Sequence, residues 1–85
     1  MYSTQIHRDA DRALRSIPTD IQKLIVSRIN LVARDPMAKN NNVKALEGRD
    51  GFRLRVGDYR VLYELNHRSR ILHVLDIGHR KEVYR

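Results

Sequence analysis

Arginines in the second half of the chain are the residues whose type and spacing best suit chemistry on a phosphate. Arg53, Arg55 and Arg60 lie on either side of Gly57-Asp58, a dipeptide that favours a two-residue turn between two strands. A guanidinium can grip two phosphate oxygens at once, and it keeps its charge at any physiological pH. The pattern therefore predicts a surface that holds phosphate groups.

The turn also fixes which residues face each other across the predicted hairpin. With a two-residue turn, Val56 lies opposite Tyr59 and Arg55 lies opposite Arg60, and directly opposed residues share a face. One face is then apolar and suited to packing under helices: Phe52, Leu54, Val56, Tyr59, Val61 and Tyr63. The other face carries Arg53, Arg55, Arg60, Leu62 and Glu64.

The opposition of Arg55 and Arg60 works against stability. Like charges directly across two strands cost roughly 0.2–1 kcal/mol, and sequences keep such conflicts mostly where a site needs them. The alternative is structural: the arginines spread into solvent, lay their stems over Leu62 and pair with Glu64. We favour a face that holds a polyanion, and phosphate is the obvious one.

Proton transfer needs a different residue type, and a tyrosine or a histidine can supply it without a metal. The chain has no glycine-rich nucleotide loop, no nucleophile elbow and no His-Glu-x-x-His helix, and its histidines are not at metal-ligand spacing, so we predict no metal and no cofactor. His7 and His67 are interpreted as surface residues, and His73 as a sheet residue with a satisfied partner. His79 lies between Gly78 and Arg80, just past a predicted strand end, where side chains often enter a site.

The elements that must position these residues follow from hydrophobic periodicity. Residues 2–7 alternate as a first strand, Asp9 is placed to cap a short helix that Pro18 ends, and a capping box at residues 19–22 opens a second helix that stops at Asp35-Pro36. Residues 37–42 form a polar loop. Three strands follow, at residues 52–56, 59–65 and 71–77. The order β-α-α-β-β-β predicts an α+β fold, with a small antiparallel-type sheet and a two-helix hairpin packed on one face.

Composition narrows the class of protein. The 85 residues suffice for one domain, 1–85, with 17 Lys and Arg against 10 Asp and Glu, a net charge of +7 and a pI near 10.4. There is no cysteine, and no apolar run approaches the ~20 residues that span a membrane. We expect a soluble, cytoplasmic protein whose basic surface meets RNA, DNA or an acidic protein.

Three segments in this order resemble the RelE/ParE toxin superfamily. They are residues 51–64 (GFRLRVGDYRVLYE), 74–80 (VLDIGHR) and 82–85 (EVYR), and the helical hairpin and Leu46-Glu47-Gly48 match in position. The resemblance covers nearly the whole chain and implies the RelE-like fold. It further implies the RelE-type activity: ribosome-dependent cleavage of mRNA in the A site, which leaves a 2′,3′-cyclic phosphate and a 5′-hydroxyl.

The resemblance also implies roles for residues. Arg60 and Arg80 match arginines that contact the scissile phosphate, and Tyr84 matches a C-terminal tyrosine that stacks on or orients the nucleotide. Arg53 and Arg55 match basic residues that line the site, and Lys44 is predicted to bind substrate with them. Several family members have lysine where this chain has Arg53 and Arg55. Because arginine does not give up its proton, we hypothesise that His79 or Tyr84 transfers protons instead.

Two other functions and a set of partners follow from the same resemblance. A ParE-like toxin would poison DNA gyrase without cutting RNA, and a non-catalytic relative would only bind nucleic acid. The cluster of Arg60, Arg80 and Tyr84 favours the nuclease. The expected partners are a cognate antitoxin, in a toxin–antitoxin hetero-oligomer, and the ribosome with its rRNA and A-site mRNA; no membrane partner is expected.

Overall fold

Two helices and five strands make up the structure, a computed structural model that describes residues 1–79. In chain order they are β1 (Ser3–Ile6), α1 (Arg8–Arg15), α2 (Thr19–Arg34), β2 (Val43–Ala45), β3 (Phe52–Val56), β4 (Tyr59–Asn66) and β5 (Ile71–His79). The strands form one sheet in the order β1-β5-β4-β3-β2. β1 pairs with β5 in parallel and all other neighbours are antiparallel, so the sheet is mixed.

Both helices cover the same face of the sheet, because each presents one apolar stripe that has to be buried. α1 packs mainly on β5, and α2 reaches β1 and β3. The buried core draws on all of these elements and consists of Ala10, Leu14, Ile17, Ile25, Ile29, Val32, Ala33, Leu54, Val56, Val61, Tyr63, Leu72, Val74 and Ile77. The predicted α+β class, with a helical hairpin on one sheet face, is confirmed.

The β3–β4 hairpin has the predicted register. All five residue pairs are as expected from the Gly57-Asp58 turn, including Val56 with Tyr59 and Arg55 with Arg60. Gly57 has a φ of +59°, a conformation that glycine adopts without a steric penalty. The turn therefore sets which side chains β3 and β4 send to each face.

The sheet is larger than predicted, because it has one additional strand, β2, and because β5 is longer than expected. β2 is not among the predicted strands, but its three residues pair antiparallel with β3 and place Lys44 beside Arg53. β5 extends past Ile77 because Gly78 and His79 still pair with Arg60 and Tyr59 on β4. His79 therefore lies inside the strand, and the expectation that it follows the strand end was wrong.

The helix starts also differ from the prediction. α1 begins at Arg8, so Asp9 lies in its first turn, where its charge favours the positive end of the helix dipole, and does not cap it. α2 begins at Thr19 with Pro18 at the cap position and no side-chain capping bond. Gln22 donates instead to the Ile17 carbonyl at 2.6 Å, which ties the helix start to the preceding turn.

Leu24 on α2 has the helical spacing of a buried apolar stripe together with Ile21 and Ile25, but it is exposed and keeps 43% of its surface. Ile25, one position further on, is fully buried, so the stripe is narrower than periodicity suggests. Neither helix among residues 1–79 has the length and apolarity needed to cross a membrane.

Candidate functional site

Four basic side chains meet on the sheet face that points away from the helices. Strand pairing aligns Lys44, Arg53, Leu62 and Asp76 in one transverse row and Arg55, Arg60 and Gly78 in the next. Because alternate residues of a strand point to opposite faces, these rows share the face opposite Leu54, Val61 and Ile77. We call this surface, with Glu64 in the row beyond Leu62, the arginine face.

The arginine face brings together the predicted substrate-binding residues. Lys44, Arg53 and Arg55 come from two adjacent strands, and Arg60 adds a fourth positive charge from a third strand. Arg55 and Lys44 are exposed, whereas Arg53 and Arg60 are partly buried. Partial burial lowers the local dielectric, so a phosphate between these groups is attracted more strongly than it would be in bulk water.

The row of Arg55 and Arg60 ends at a residue without a side chain. Gly78 pairs with Arg60 on β5 and adds no side chain beside the two guanidinium groups. Nη1 of Arg60 donates to the Tyr59 carbonyl at 3.3 Å, which helps to fix the direction of its side chain. The row thus presents two cations on a rigid hairpin, an arrangement suited to a phosphate with oxygens on several sides.

The basic rows give way to acidic and histidine side chains along the sheet. Asp76 lies in the row of Arg53, and its carboxylate accepts the N–H of Ile77 at 2.9 Å. Glu64 lies opposite His73 in the following row. Within residues 1–79, the Arg55–Arg60 row therefore has no acidic side chain opposite it across the ladder.

A β-bulge at Leu75 decides which face each residue of β5 occupies. Leu62 pairs with Asp76 and Tyr63 with Val74, so Leu75 has no partner of its own on β4. One extra residue reverses the alternation, and the residues after the bulge change face relative to a regular strand. The sequence gives little sign of it, because residues 71–77 are almost continuously apolar.

The bulge places His79 away from the arginines. His79 pairs with Tyr59, which shares the helix-covered face with Val56, and the two rings contact edge to face with centroids 5.8 Å apart. Arg60 points to the opposite face one residue later on β4. Within residues 1–79 the structure therefore does not bring the predicted proton-transfer histidine together with the arginines.

The other histidines form two contacts at the far end of the sheet. Nε2 of His7 lies 3.0 Å from Nδ1 of His73, and the Tyr2 hydroxyl lies 2.6 Å from Nδ1 of His67. His73 therefore has a partner, as predicted. His7, His67 and His73 also line an open cleft together with Glu64 and Leu75. This cleft could not be predicted from the sequence, because its residues are far apart in the chain.

Tyr63 has a clearly displaced pKa. Burial raises the pKa of its hydroxyl from 10.0 to about 12. The ring is 2% exposed and stacks on Phe52, and the hydroxyl has no hydrogen-bond partner among the described residues. It lies under the helices, so it belongs to the core and takes no part in the arginine face.

Arg80 and Tyr84, the remaining predicted catalytic residues, lie outside the described residues. Of the predicted site, the described part of the chain thus unites Lys44, Arg53, Arg55 and Arg60. Basic side chains on a rigid sheet can bind successive phosphates of a single strand or stabilise charge that develops on one of them. The three arginines cannot accept protons, because guanidinium groups stay charged. Within residues 1–79, no carboxylate shares the Arg55–Arg60 row.

A sequence profile described as "ParE toxin of type II toxin-antitoxin system, parDE" matches residues 1–84. No curated protein sequence matches the chain significantly.

Solved structures of toxins with the same fold match over most of the chain. The RelBE2 toxin–antitoxin complex of Mycobacterium tuberculosis is 27% identical, with a TM-score of 0.79, and the match covers 93% of this chain and 98% of that one. The RelE–RelB complex of the archaeon Pyrococcus horikoshii is 29% identical, with a TM-score of 0.80 and coverage of 93% and 94%. The isolated E. coli RelE toxin, at 20% identity and a TM-score of 0.80, covers 99% and 92% and matches in fold.

Proposed function

We propose that this chain, which belongs to the ParE toxin family within the RelE/ParE superfamily of type II toxin–antitoxin toxins, acts as a ribosome-dependent endoribonuclease that cleaves mRNA in the A site. The observation that supports the proposal is the arginine face, where four cations from three adjacent strands point the same way. Two of the relatives, both above 25% identity, are RelE-type toxins bound to RelB antitoxins, which favours the same branch.

The proposed reaction needs little covalent chemistry from the protein. The 2′-hydroxyl of the substrate attacks the adjacent phosphorus, the bond to the 5′-oxygen breaks, and the products are a 2′,3′-cyclic phosphate and a 5′-hydroxyl. Arg55 and Arg60 stabilise the negative charge that builds up on the phosphorane oxygens, and Arg53 with Lys44 holds the neighbouring backbone. Arg80 is assigned a second contact to the scissile phosphate.

The arginines cannot carry out the proton transfers of the reaction. One group has to accept the proton of the 2′-hydroxyl and another has to protonate the departing 5′-oxygen, and we assign these roles to Tyr84 and His79. His79 contacts Tyr59 on the face opposite to Arg60. A role in proton transfer therefore requires its ring to leave that contact. A pH–rate profile that His79→Gln leaves unchanged would remove His79 from the reaction.

The partners follow from the class of toxin. A cognate antitoxin is expected to bind the chain in a hetero-oligomer and to keep it inactive, as in the RelB complexes of the relatives. An acidic segment of the antitoxin would be drawn to the arginine face by charge. The ribosome is the proposed second partner, and the cytoplasm is the proposed location because translation takes place there.

The proposal is tested on stalled ribosomes that carry a defined A-site codon. Purified protein is added, and mRNA ends are mapped by primer extension, with Arg60→Ala, Arg80→Ala and Tyr84→Ala alongside. Arg28→Ala, an exposed arginine on α2, is the matched control for loss of one charge. We expect cleavage within the codon by the parent and the control, at least 100-fold slower cleavage by the three site variants, and none without ribosomes.

A second candidate function is poisoning of DNA gyrase, and the observation that favours it is the ParE description of the matching profile. Under this alternative the parent protein leaves mRNA on ribosomes intact but blocks supercoiling by gyrase in vitro. If folded protein does neither, it is a non-catalytic nucleic-acid-binding relative. The two assays, run on one preparation, separate the three functions.

A further inference from the structure

The turn between β4 and β5 contains the one non-glycine residue with a positive φ among residues 1–79. Arg70 adopts φ +56°, in the left-handed region, immediately before β5 begins. Side chains with a Cβ are disfavoured there, and glycine or asparagine is the usual occupant of this position in a turn. The backbone at position 70 therefore adopts a conformation that arginine disfavours.

No contact within the described residues accounts for this arginine. Its side chain is exposed and makes no hydrogen bond or ion pair to residues 1–79. The rest of the turn is held by Asn66, whose Oδ1 accepts the N–H groups of Arg68 and Ser69, both at 3.1 Å. Because the turn would form with glycine at position 70, the strain points to a use for the guanidinium outside the chain.

Arg70 lies in a second basic patch, which we call the turn patch: Arg34, His67, Arg68 and Arg70. The N-terminus joins its parts, because Ser3 donates its N–H to the Arg70 carbonyl at 2.9 Å and Tyr2 donates to the Ala33 carbonyl at 2.7 Å. All four patch side chains are exposed. Asp35 adds a single acid beside Arg34, and residues 66–70 contain none, so the patch is positive overall.

The turn patch is rigidly connected to the arginine face but separate from it. Arg60 and Asn66 both belong to β4, six positions apart, which at ~3.3 Å per residue corresponds to roughly 20 Å. The histidine cleft extends from Glu64, at the edge of the arginine face, to His67 in the turn patch. A single phosphate cannot bridge this distance, so the two surfaces engage different groups of a large partner.

We propose that the turn patch binds backbone phosphates of ribosomal RNA and anchors the protein while the arginine face acts on the mRNA; this rests on the proposed ribosome-dependent function. Interfaces with nucleic acid are polar and positively charged, whereas the centres of protein interfaces are apolar and depleted of charge. The turn residues 66–70 are all polar, and two of the five are arginine. Their guanidinium groups suit bidentate contacts to phosphate.

The test measures the affinity of the protein for empty ribosomes at several salt concentrations. The patch variant is Arg68→Gln with Arg70→Gly, and the control is Arg8→Gln with Arg12→Gln, which removes the same charge from exposed positions on α1. We expect the patch variant to bind at least 10-fold more weakly and to lose roughly 1.4–1.8 units of the slope of log K against log salt, which corresponds to two phosphate contacts. The control should change affinity less than threefold.

Cleavage measured in parallel keeps this inference separate from the nuclease proposal. At saturating protein the patch variant should cut the codon at the parental rate, and only the half-saturating concentration should rise. Equal losses in patch and control variants, or no loss in either, would overturn the inference even if the parent cleaves. If the patch variant lost affinity only for the antitoxin, the turn patch would be a binding site for an acidic protein. That result would also overturn the inference. Parent protein that binds but does not cut would refute the nuclease and leave the anchor standing.

Discussion

At the scale of single residues, the opposition of Arg55 and Arg60 is the feature most open to test. The two arginines pair directly across the β3–β4 ladder, as the sequence predicts. We expect Arg55→Gln to raise the free energy of unfolding by about 0.2–1 kcal/mol, because it removes a cross-strand repulsion. The same change should slow cleavage on ribosomes, because the proposed function assigns Arg55 a contact to phosphate.

Arg55→Lys provides the matched control, because it keeps the charge and removes the planar fork. Its unfolding free energy, measured with urea, should stay within about 0.3 kcal/mol of the parent, since the repulsion persists. Its cleavage rate should lie between those of the parent and Arg55→Gln. A destabilised Arg55→Gln protein would mean that Arg55 supports the sheet, and the conflict between stability and function would disappear.

Tyr63 predicts a specific response to alkaline pH. Burial raises the pKa of its hydroxyl to about 12 in the folded chain, against 10.0 for an exposed tyrosine. Between these values the unfolded chain loses the proton while the folded chain keeps it. Stability is therefore fully present below pH 10 and falls as pH rises from about 10 to 12, by an amount on the order of 2–3 kcal/mol.

Tyr63→Phe should remove most of this pH dependence. The ring contact with Phe52 remains possible, and the hydroxyl that lacks a partner among residues 1–79 is deleted. At pH 7 we expect stability to be unchanged or higher by about 1 kcal/mol, because a buried unpaired polar group is gone. Urea unfolding of both proteins at pH 7 and pH 11 checks both parts. A large loss at pH 7 would reveal a hydrogen bond to the hydroxyl.

At the scale of elements, Gly51 shows how the start of β3 is fixed. It has φ +115°, and an added Cβ would lie 3.0 Å from the Tyr63 carbonyl oxygen. Gly48 shares the positive φ, at +73°, but has nothing within 4 Å. We expect Gly51→Ala to cost about 2–4 kcal/mol, through strain and overpacking, and Gly48→Ala about 1 kcal/mol.

Thermal unfolding of the two variants side by side measures the difference. Because β3 carries Arg53 and Arg55, the Gly51 variant should also cleave more slowly at temperatures where it is still folded. Equal costs at both glycines would show that the loop shifts and relieves the contact with β4.

The elements also show what sequence can and cannot predict. The hairpin register was predictable because turn chemistry and alternation agree over ten residues of β3 and β4. β2 was not predictable, because three residues are too few to show a periodicity in the sequence. Their pairing depends on the neighbouring strand β3. The bulge at Leu75 was hidden by an apolar run, and with it the face of His79.

At the scale of the whole molecule, the fold distributes charge along one strand. β4 carries Arg60 near its start and leads at its end into the turn with Arg68 and Arg70. Composition predicted a basic protein with an acidic or nucleic-acid partner, but only the folded sheet separates that charge into two surfaces. The arginine face could be read from alternation, whereas the turn patch depends on how the N-terminus ties α2 to β5.

This separation predicts additive effects on ribosome binding. Variants more than 7–10 Å apart with no shared partner add within about 0.3–0.5 kcal/mol, and the two surfaces lie roughly 20 Å apart along β4. We therefore expect the losses in binding free energy of Arg55→Gln and of Arg68→Gln with Arg70→Gly to sum in the triple variant, measured on empty ribosomes at fixed salt. A loss in the triple variant that is no larger than the greater of the two separate losses would mean that both surfaces compete for one site on the ribosome. The protein would then bind with one basic surface at a time, and the turn patch could not hold it while the arginine face acts.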